Sequence, residues 1–564
     1  MDLFVCQSLK PSAMAPGAGK IPTQIAFVAA ARGGIMRADK SVLMAAAVLC
    51  CALAQGAWSQ TADDCSHLAS LKLADTSGLT AVVVEGPRFT PPAPATPPPA
   101  PENAQEAKDQ AAAKAAQDAL LGKLPAFCRV SGVIKPAVRF EVWLPMQDWN
   151  GKFQGTGNGG YNGAIVYTAL ATGLLKHFAT ANTDMGHVAT TPDPASWALH
   201  HPELVKDQGY RAQHETAVKA KAIVAAFYAK PPSRSYFVGC SSGGWEALTE
   251  AHRYPHDYDG IIAGAPASEV VHLHAGQLWG YLAAQQIAVE KIPMISAAVI
   301  AKCDARDGVK DGLISDPLGC DFKPRELACK GAQDPQHCLT PSEVTALEQL
   351  YAGAHYSNGE AVYPGWPRGM EFALLQARSN RVAALGASTF RDMVFEDPQW
   401  DFHTINYDLD VKKADQKIGE VMNDGSTDLA AFRRAGGKLI LWHGWSDPLI
   451  SPLHTIAYYN KLAAHFAPAK GIAQDAALAQ VADFARLFLA PGVMHCGRGP
   501  GPDTFDSVAA LDAWVEKGVA PESMVASHKT AGKVDRTRPL CAYPHKAVYD
   551  GKGDSNDAAS FSCR

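Results

Sequence analysis

The sequence predicts an α/β protein, a mostly parallel sheet with helices on both faces, interrupted by one large insertion. Three observations carry this. Short apolar runs recur, each ending in a glycine-rich turn. Helical patterns lie between several of these runs, as parallel strands joined by crossovers require. From about residue 268 to 436 the rhythm stops, and four cysteines, an acidic loop and several aromatic turns take its place.

In chain order, "MRADKSVLMAAAVLCCALAQGAWSQ" from Met36 has a charged start, an apolar run and a small-residue exit near Ala57-Trp58-Ser59. Residues 1–59 therefore read as leader and signal peptide, with translation starting at Met36, and the mature protein as exported to a periplasm or beyond the cell. The apolar part is shorter than the roughly 20 residues that cross a bilayer, and no other segment is long and apolar enough for a membrane span.

"GPRFTPPAPATPPPAPE" from Gly86 is too proline-rich for a ladder or a helix interior, and "AQEAKDQAAAKAAQDALLGK" has strong helix formers but little apolar face. Both read as a surface excursion flanked by Cys65 and Cys128. The strand-like runs come next: "RFEVWLP" before "GKFQGTGNGGYNG", "SYFVG" before "CSSGG", "DGIIAG", "KLILWHG" and "ARLFLAPG", with "HETAVKAKAIVAAFYAK" as a helix among them. The expected organisation is a first part of the α/β domain over 60–267, an inserted lid over 268–436 and a second part over 437–564.

With 47% hydrophobic and 19% charged residues the chain is globular. A formal net charge of -5, without long Lys/Arg runs, removes the electrostatic footprint of a nucleic-acid binder. A small molecule or polymer fragment is the expected partner. Of 13 cysteines, Cys6, Cys50 and Cys51 precede the proposed cleavage, which leaves an even number in an exported chain and predicts disulfides. Spacing alone leaves their connectivity open.

The segment "GCSSGG" fits G-x-S-x-G through Gly239, Ser241 and Gly243, after the apolar "YFV" and before "GWEALTEAHRY". In that strand-turn-helix setting small flanking residues let a strained serine project from the sheet. A serine hydroxyl needs an imidazole to take its proton and a carboxylate to fix that imidazole. Asp447 follows "KLILWHGWS" and His495 follows "ARLFLAPGVM", in the order acid then histidine that this arrangement takes. Cys240 precedes the serine and Cys496 follows the histidine, so a bridge between them would hold the two catalytic loops in register. The oxyanion donors expected are the N–H of Ser242 and one from "GTGNGGYNG", at Gly159 or Gly160. In the insertion, "CDARDGVKDGLISDP" gathers Asp304, Asp307, Asp311 and Asp316 around two glycines, an oxygen-rich set that suits calcium and lacks the EF-hand pattern.

"GCSSGG", "HGWSDPLISP" and "APGVMHCGRGP" together resemble the signature of the tannase and feruloyl esterase family, over nearly all of Cys65 to Cys563. That family also contains hydrolases of mono(2-hydroxyethyl) terephthalate. The resemblance implies an α/β-hydrolase fold with nucleophile Ser241, acid Asp447, base His495 and a Cys240–Cys496 bridge. It further implies a structural calcium in the lid, on the side chains of Asp304, Asp307 and Asp311 and the carbonyls of Val309 and Leu313. Cys303 and Cys320 bracket that loop, and the family pattern pairs Cys65 with Cys128, Cys329 with Cys338, and Cys541 with Cys563. The proline- and alanine-rich stretch from about 91 to 121 is longer than the family pattern.

The function expected is a secreted serine carboxylic-ester hydrolase acting on aromatic acyl esters: feruloyl or other hydroxycinnamoyl first, galloyl second, mono(2-hydroxyethyl) terephthalate third. Trp366, Phe395, Trp400 and Phe402 are candidates to stack on the substrate ring, and Arg368, Arg378, Arg381 and Arg391 to face a terephthalate carboxylate. The alternative from another class is a non-catalytic, calcium-dependent binding protein on the same fold.

Overall fold

The apolar runs between glycine turns become strands of a nine-stranded sheet in a computed structural model that describes residues 60–564, apart from 98–99, 191–192, 332 and 470. The expected signal peptide and the start at Met36 lie outside the described residues. The strands are β1 (Thr76–Val84), β2 (Phe127–Ile134), β3 (Val138–Pro145), β4 (Lys152–Thr156), β5 (Ala179–Thr183), β6 (Arg234–Cys240) and β7 (Gly260–Gly264). After a small hairpin, β8 (Gly353–His355) with β9 (Ala361–Pro364), come β10 (Lys438–Gly444) and β11 (Ala485–Ala490). The sheet runs β1-β2-β3-β5-β4-β6-β7-β10-β11. The first three strands form an antiparallel meander, and every pairing from β5 to β11 is parallel.

The parallel strands are covered on both faces, which is why they read as continuous apolar runs. Successive side chains point to opposite faces. Phe237, Ile261, Leu441 and Leu487 therefore enter one apolar cluster, while their neighbours Tyr236, Ile262, Ile440 and Phe488 enter another. Helices around the sheet and the insertion include α1 (Ala104–Leu121), α2 (Ala212–Tyr228), α3 (Ser242–Arg253), α4 (Val270–Gln285), α5 (Asn380–Ser388), α6 (Pro452–His465) and α7 (Ser507–Lys517). Helix α1 lies in the surface excursion. It is capped by Asn103, whose side chain accepts the Glu106 N–H at 3.0 Å, and Leu121 is its one buried residue.

Between β7 and β10 the chain leaves the main sheet, and the segment packs onto the body through one apolar cluster. That cluster joins Tyr161, Trp197 and Trp245 to Val271 and Leu278 of α4 and to Ile450 beyond β10. The insertion also bonds directly to the loop after β10, where Ser446 Oγ donates to Gly369 O at 2.7 Å and Ser451 Oγ to Gly365 O at 2.5 Å. Five disulfides join Cys65–Cys128, Cys240–Cys496, Cys303–Cys320, Cys329–Cys338 and Cys541–Cys563.

Candidate active site

Ser241 stands between the end of β6 and the start of α3 at φ 65° and ψ −126°, a strained conformation for a residue with a side chain. The tight turn needs its glycines. A Cβ on Gly239 would fall 2.1 Å from the Gly243 carbonyl oxygen, and one on Gly243 would fall 2.8 Å from that of Asn158. The G-x-S-x-G spacing is thus a steric requirement of bringing the strand, the helix and the glycine loop after β4 together.

Three loops converge on the serine. His495 Nε2 lies 2.9 Å from Ser241 Oγ, and its Nδ1 lies 2.7 Å from Asp447 Oδ2. With Nδ1–H donating to the carboxylate, Nε2 faces the hydroxyl as an acceptor. Asp447 is fully buried, and its other oxygen accepts the N–H groups of Leu449 at 2.8 Å and Ile450 at 3.0 Å. Burial alone would raise this carboxyl, but the charge of His495 and hydrogen bonds from His443 and His495 hold it well below the usual carboxylate range. The Cys240–Cys496 bridge ties the serine turn to the histidine loop, with Cα atoms 6.0 Å apart.

Two residues that sequence reasoning missed support this centre. His443, fully buried at the end of β10, places Nε2 at 3.1 Å from Asp447 Oδ2 and 3.0 Å from the Ile450 carbonyl. Both partners are acceptors, so Nε2 carries the proton, and the Thr455 hydroxyl donates to Nδ1 at 2.8 Å. Its place four residues before Asp447 in "HGWSD" was the available signal. Glu246, buried on α3, accepts the Asn158 N–H at 3.0 Å and the Gln213 amide at 2.6 Å. Burial pushes its carboxyl up to about 7.

On the oxyanion side, Ser242 is the first residue of α3, where a backbone N–H has no intrahelical acceptor. The glycine loop meets the elbow at Gly157 and Asn158. A Cβ on Gly157 would lie 2.5 Å from Gly243 Cα, and the Gly243 N–H donates to Asn158 O at 2.8 Å. Gly159 follows with open space around it and lines the neighbouring cavity, and Gly160, at φ +53°, has Leu385 where a Cβ would meet it at 3.7 Å. Close backbone approach therefore belongs to Gly157, while the two glycines chosen from sequence edge the open side of the loop.

In the acidic loop, Gly308 and Gly312 turn the backbone at φ +93° and +81°. Asp304 accepts the N–H groups of Asp311 and Gly312, at 3.3 and 3.1 Å. Asp307 accepts the Val309 N–H and the Ser315 hydroxyl, and Asp311 accepts the Leu313 N–H and pairs with Arg538. Asp316 stands apart, paired with Lys546. Among the described residues no three acidic, histidine or cysteine side chains converge as a ligand cluster. The donor chemistry nevertheless fits a divalent hard cation. Asp304, Asp307 and Asp311 are carboxylates with little exposure on one short loop, and two guanidiniums meet it, Arg538 on the Asp311 carboxylate and Arg536 on the Asp311 carbonyl at 3.1 Å, so the carboxylates remain in excess.

The lid candidates are spoken for. Trp366 is buried in the insertion's own core. Phe395 stacks on Trp400 at 5.0 Å, and Phe402 meets Tyr281 edge-on at 6.0 Å. Arg368 donates to Phe322 O and lies over Tyr351, and Arg378 donates to the carbonyls of Ala284 and Ile287. Arg381 pairs with Glu106, and Arg391 with Asp193 and Asp392. Among the described residues, no helix is long and apolar enough to cross a membrane.

Residues 121–564 match the profile of the family described as tannase and feruloyl esterase. An uncharacterized esterase from Xanthomonas campestris pv. campestris is 39% identical over 497 residues, 79% of this chain and 85% of that one. A mono(2-hydroxyethyl) terephthalate hydrolase from Piscinibacter sakaiensis is 33% identical over 526 residues, 78% of this chain and 85% of that one. The crystal structure of feruloyl esterase B from Aspergillus oryzae superposes with a TM-score of 0.76 at 25% identity, covering 89% of this chain and all of that one.

Proposed function

Because this chain belongs to the tannase and feruloyl esterase family of carboxylic-ester hydrolases, we propose that it cleaves esters of aromatic acids, hydroxycinnamoyl esters first, through a Ser241–His495–Asp447 triad. Ser241 Oγ attacks the ester carbonyl while its proton passes to His495 Nε2. The N–H of Ser242 and one from the Gly159–Gly160 stretch receive the oxyanion. The tetrahedral intermediate collapses as His495 returns the proton to the departing alcohol, leaving the acid esterified to Ser241. Water, deprotonated by the same imidazole, then attacks the acyl-enzyme, and the acid departs as Ser241 recovers its proton. Buried Asp447 keeps His495 in one tautomer and balances the imidazolium.

The observation that carries this reading is the hydrogen-bonded chain from Ser241 Oγ through His495 to Asp447, at 2.9 and 2.7 Å. A non-catalytic binding protein would have no use for it. Mono(2-hydroxyethyl) terephthalate is a second reading, favoured by the similarity to the hydrolase of that name. Its free carboxylate would want an available cation, however, and the four arginines considered for it all have partners within the fold.

Calcium belongs to the proposal as a structural ion in the insertion, held by Asp304, Asp307 and Asp311 with the carbonyls of Val309 and Leu313. Such an ion would neutralise the loop's surplus charge, and no step of the reaction passes through it. Export belongs to it as well, since five disulfides suit an oxidising compartment.

The test is release of p-nitrophenol from an aromatic ester, lost by about 10⁴-fold or more in Ser241→Ala with the circular dichroism spectrum retained. A panel of methyl ferulate, methyl gallate and mono(2-hydroxyethyl) terephthalate assigns the acyl group by a preference of about tenfold or more. Turnover persisting in Ser241→Ala would refute the mechanism.

A further inference from the structure

In the excursion between β1 and β2, helix α1 ends at Leu121, where the family match begins, yet the excursion reaches across to the site. Thr96 Oγ1 donates to Ala189 O at 2.6 Å, and Arg381 Nη2 on α5 donates to Ala100 O at 2.7 Å. The Asn380 N–H donates to Glu102 at 3.3 Å, and Arg381 also pairs with Glu106 on α1. Farther along α1, Asp109 meets Arg498 of the His495 loop at 3.5 Å. The proline-rich segment is thereby strapped over the groove between the glycine loop and the insertion.

Under this strap is a cavity of about 730 Å³, within the range of about 300–1,000 Å³ typical of small-molecule sites. Pro94 and Pro97 form one wall, Gly159 and Tyr161 of the glycine loop the second, and Ala384 and Leu385 of α5 the third. The cavity shares Gly159 with the glycine loop, whose preceding residue Asn158 accepts the N–H of Gly243 in the serine turn. The residues lining it come from the strap, the glycine loop and its surroundings, and α5, with none from the serine turn or the His495 loop. A departing alcohol must lie beside His495 Nε2 to receive its proton. A cavity walled by the glycine loop and not by the histidine loop suits the acyl group better than the alcohol.

We propose that this cavity is an acyl-group subsite in which the strap contacts substrate, and that it takes aromatic acyl groups extending beyond a benzoyl unit. The inference rests on the serine-esterase reading. A far ring placed against the prolines and Leu385 takes apolar surface out of water on both sides, which favours binding. Polar groups at the margin, such as Asn162 and Thr190, suit a ring that carries hydroxyl or methoxy oxygens. Arg381 is a positioning residue that acts through the strap it holds.

The experiment compares p-nitrophenyl 2-naphthoate with p-nitrophenyl acetate, which share a leaving group and differ in acyl length. The wild type is expected to favour the naphthoate in kcat/KM. Ala384→Trp, which fills the cavity from α5, should lower the naphthoate-to-acetate ratio about tenfold or more, mainly through KM. Ala100→Trp, on the exposed strap, should lower it in the same direction and decides the matter if Ala384→Trp fails to fold. Arg381→Met should lower it severalfold by releasing the strap. A ratio unchanged in both tryptophan variants overturns the proposal. Calorimetry of methyl 2-naphthoate with Ser241→Ala gives a readout without turnover: weaker binding once Ala100→Trp is added supports the subsite, and equal binding overturns it. A wild type that hydrolysed neither ester would instead refute the esterase reading, and the binding arm would still decide the cavity.

Discussion

The backbone N–H of Asn158 donates to the buried carboxyl of Glu246 at 3.0 Å, so an acid on the elbow helix holds the glycine loop against the nucleophile turn. Burial raises that carboxyl from 4.5 to about 7. Between those values Glu246 is ionised in the unfolded chain and protonated in the folded one. Its contribution to stability is therefore full below pH 4.5 and is lost as the pH rises to about 7, by roughly 3 kcal/mol. Glu246→Gln removes this dependence. Its melting temperature should fall less than that of the wild type between pH 5 and pH 8, and identical slopes would show that the group does not titrate as argued.

His443 gives Asp447 a second imidazole donor, at 3.1 Å, in a place without solvent. A hydrogen bond to a buried charge contributes about 1.5–3 kcal/mol. His443→Leu should lose stability of that order and lower kcat about tenfold, with KM little changed, because the carboxylate is then freer to turn from His495. His443→Gln keeps an N–H for Asp447 and should recover most of kcat. Equal losses in Leu and Gln would mean that the imidazole fills space and does not orient the acid.

The elbow, the acid and the histidine were legible because each follows a buried strand and each is set in a motif of small residues whose spacing is steric. The glycine register was not. "GTGNGGYNG" holds five glycines, and only packing separates Gly155, Gly157 and Gly163, where a Cβ would meet a neighbour closer than 3 Å, from Gly159 and Gly160, where it would not. Glu246 was hidden for a related reason: its role comes from an amide 88 residues away, which no local pattern announces. The aromatic residues of the insertion were candidates to stack on a substrate ring, and the sequence could not show that Phe395 and Trp400 stack on each other. β1 and β2 went unread because the excursion separates two strands that pair in space, from Thr76 opposite Ile134 to Val84 opposite Phe127.

If the acidic loop binds calcium, removing the ion leaves three carboxylates facing the guanidiniums of Arg536 and Arg538. An ion present at about 100 times its Kd adds about 2.7 kcal/mol of stability. Dialysis against a chelator should then lower the melting temperature by several degrees, and calcium should restore it. Asp307→Asn should have a lower melting temperature whose response to the chelator is much reduced. Elemental analysis of the purified protein is the direct check: no calcium, with a melting temperature indifferent to chelation, would leave Arg536, Arg538, the Ser315 hydroxyl and the backbone amides to compensate the loop.

The Cys240–Cys496 bridge separates catalysis from folding more sharply than the other four. The loop it closes spans 256 residues, for which chain-entropy arguments give about 5 kcal/mol of stabilisation. Its position matters more than that sum, because it joins the residue before Ser241 to the residue after His495. A misplacement of about 1 Å between reacting groups can cost 100-fold in rate. Cys240→Ser/Cys496→Ser should therefore lower kcat/KM about 10- to 100-fold. Cys541→Ser/Cys563→Ser, which opens a bridge near the C-terminus, should lose stability and retain most of its activity at 25 °C. Mild reductant should inactivate the wild type while its circular dichroism spectrum persists, and no further loss should follow in the Cys240→Ser/Cys496→Ser variant. Full activity in that variant would mean that the sheet alone holds His495 to Ser241.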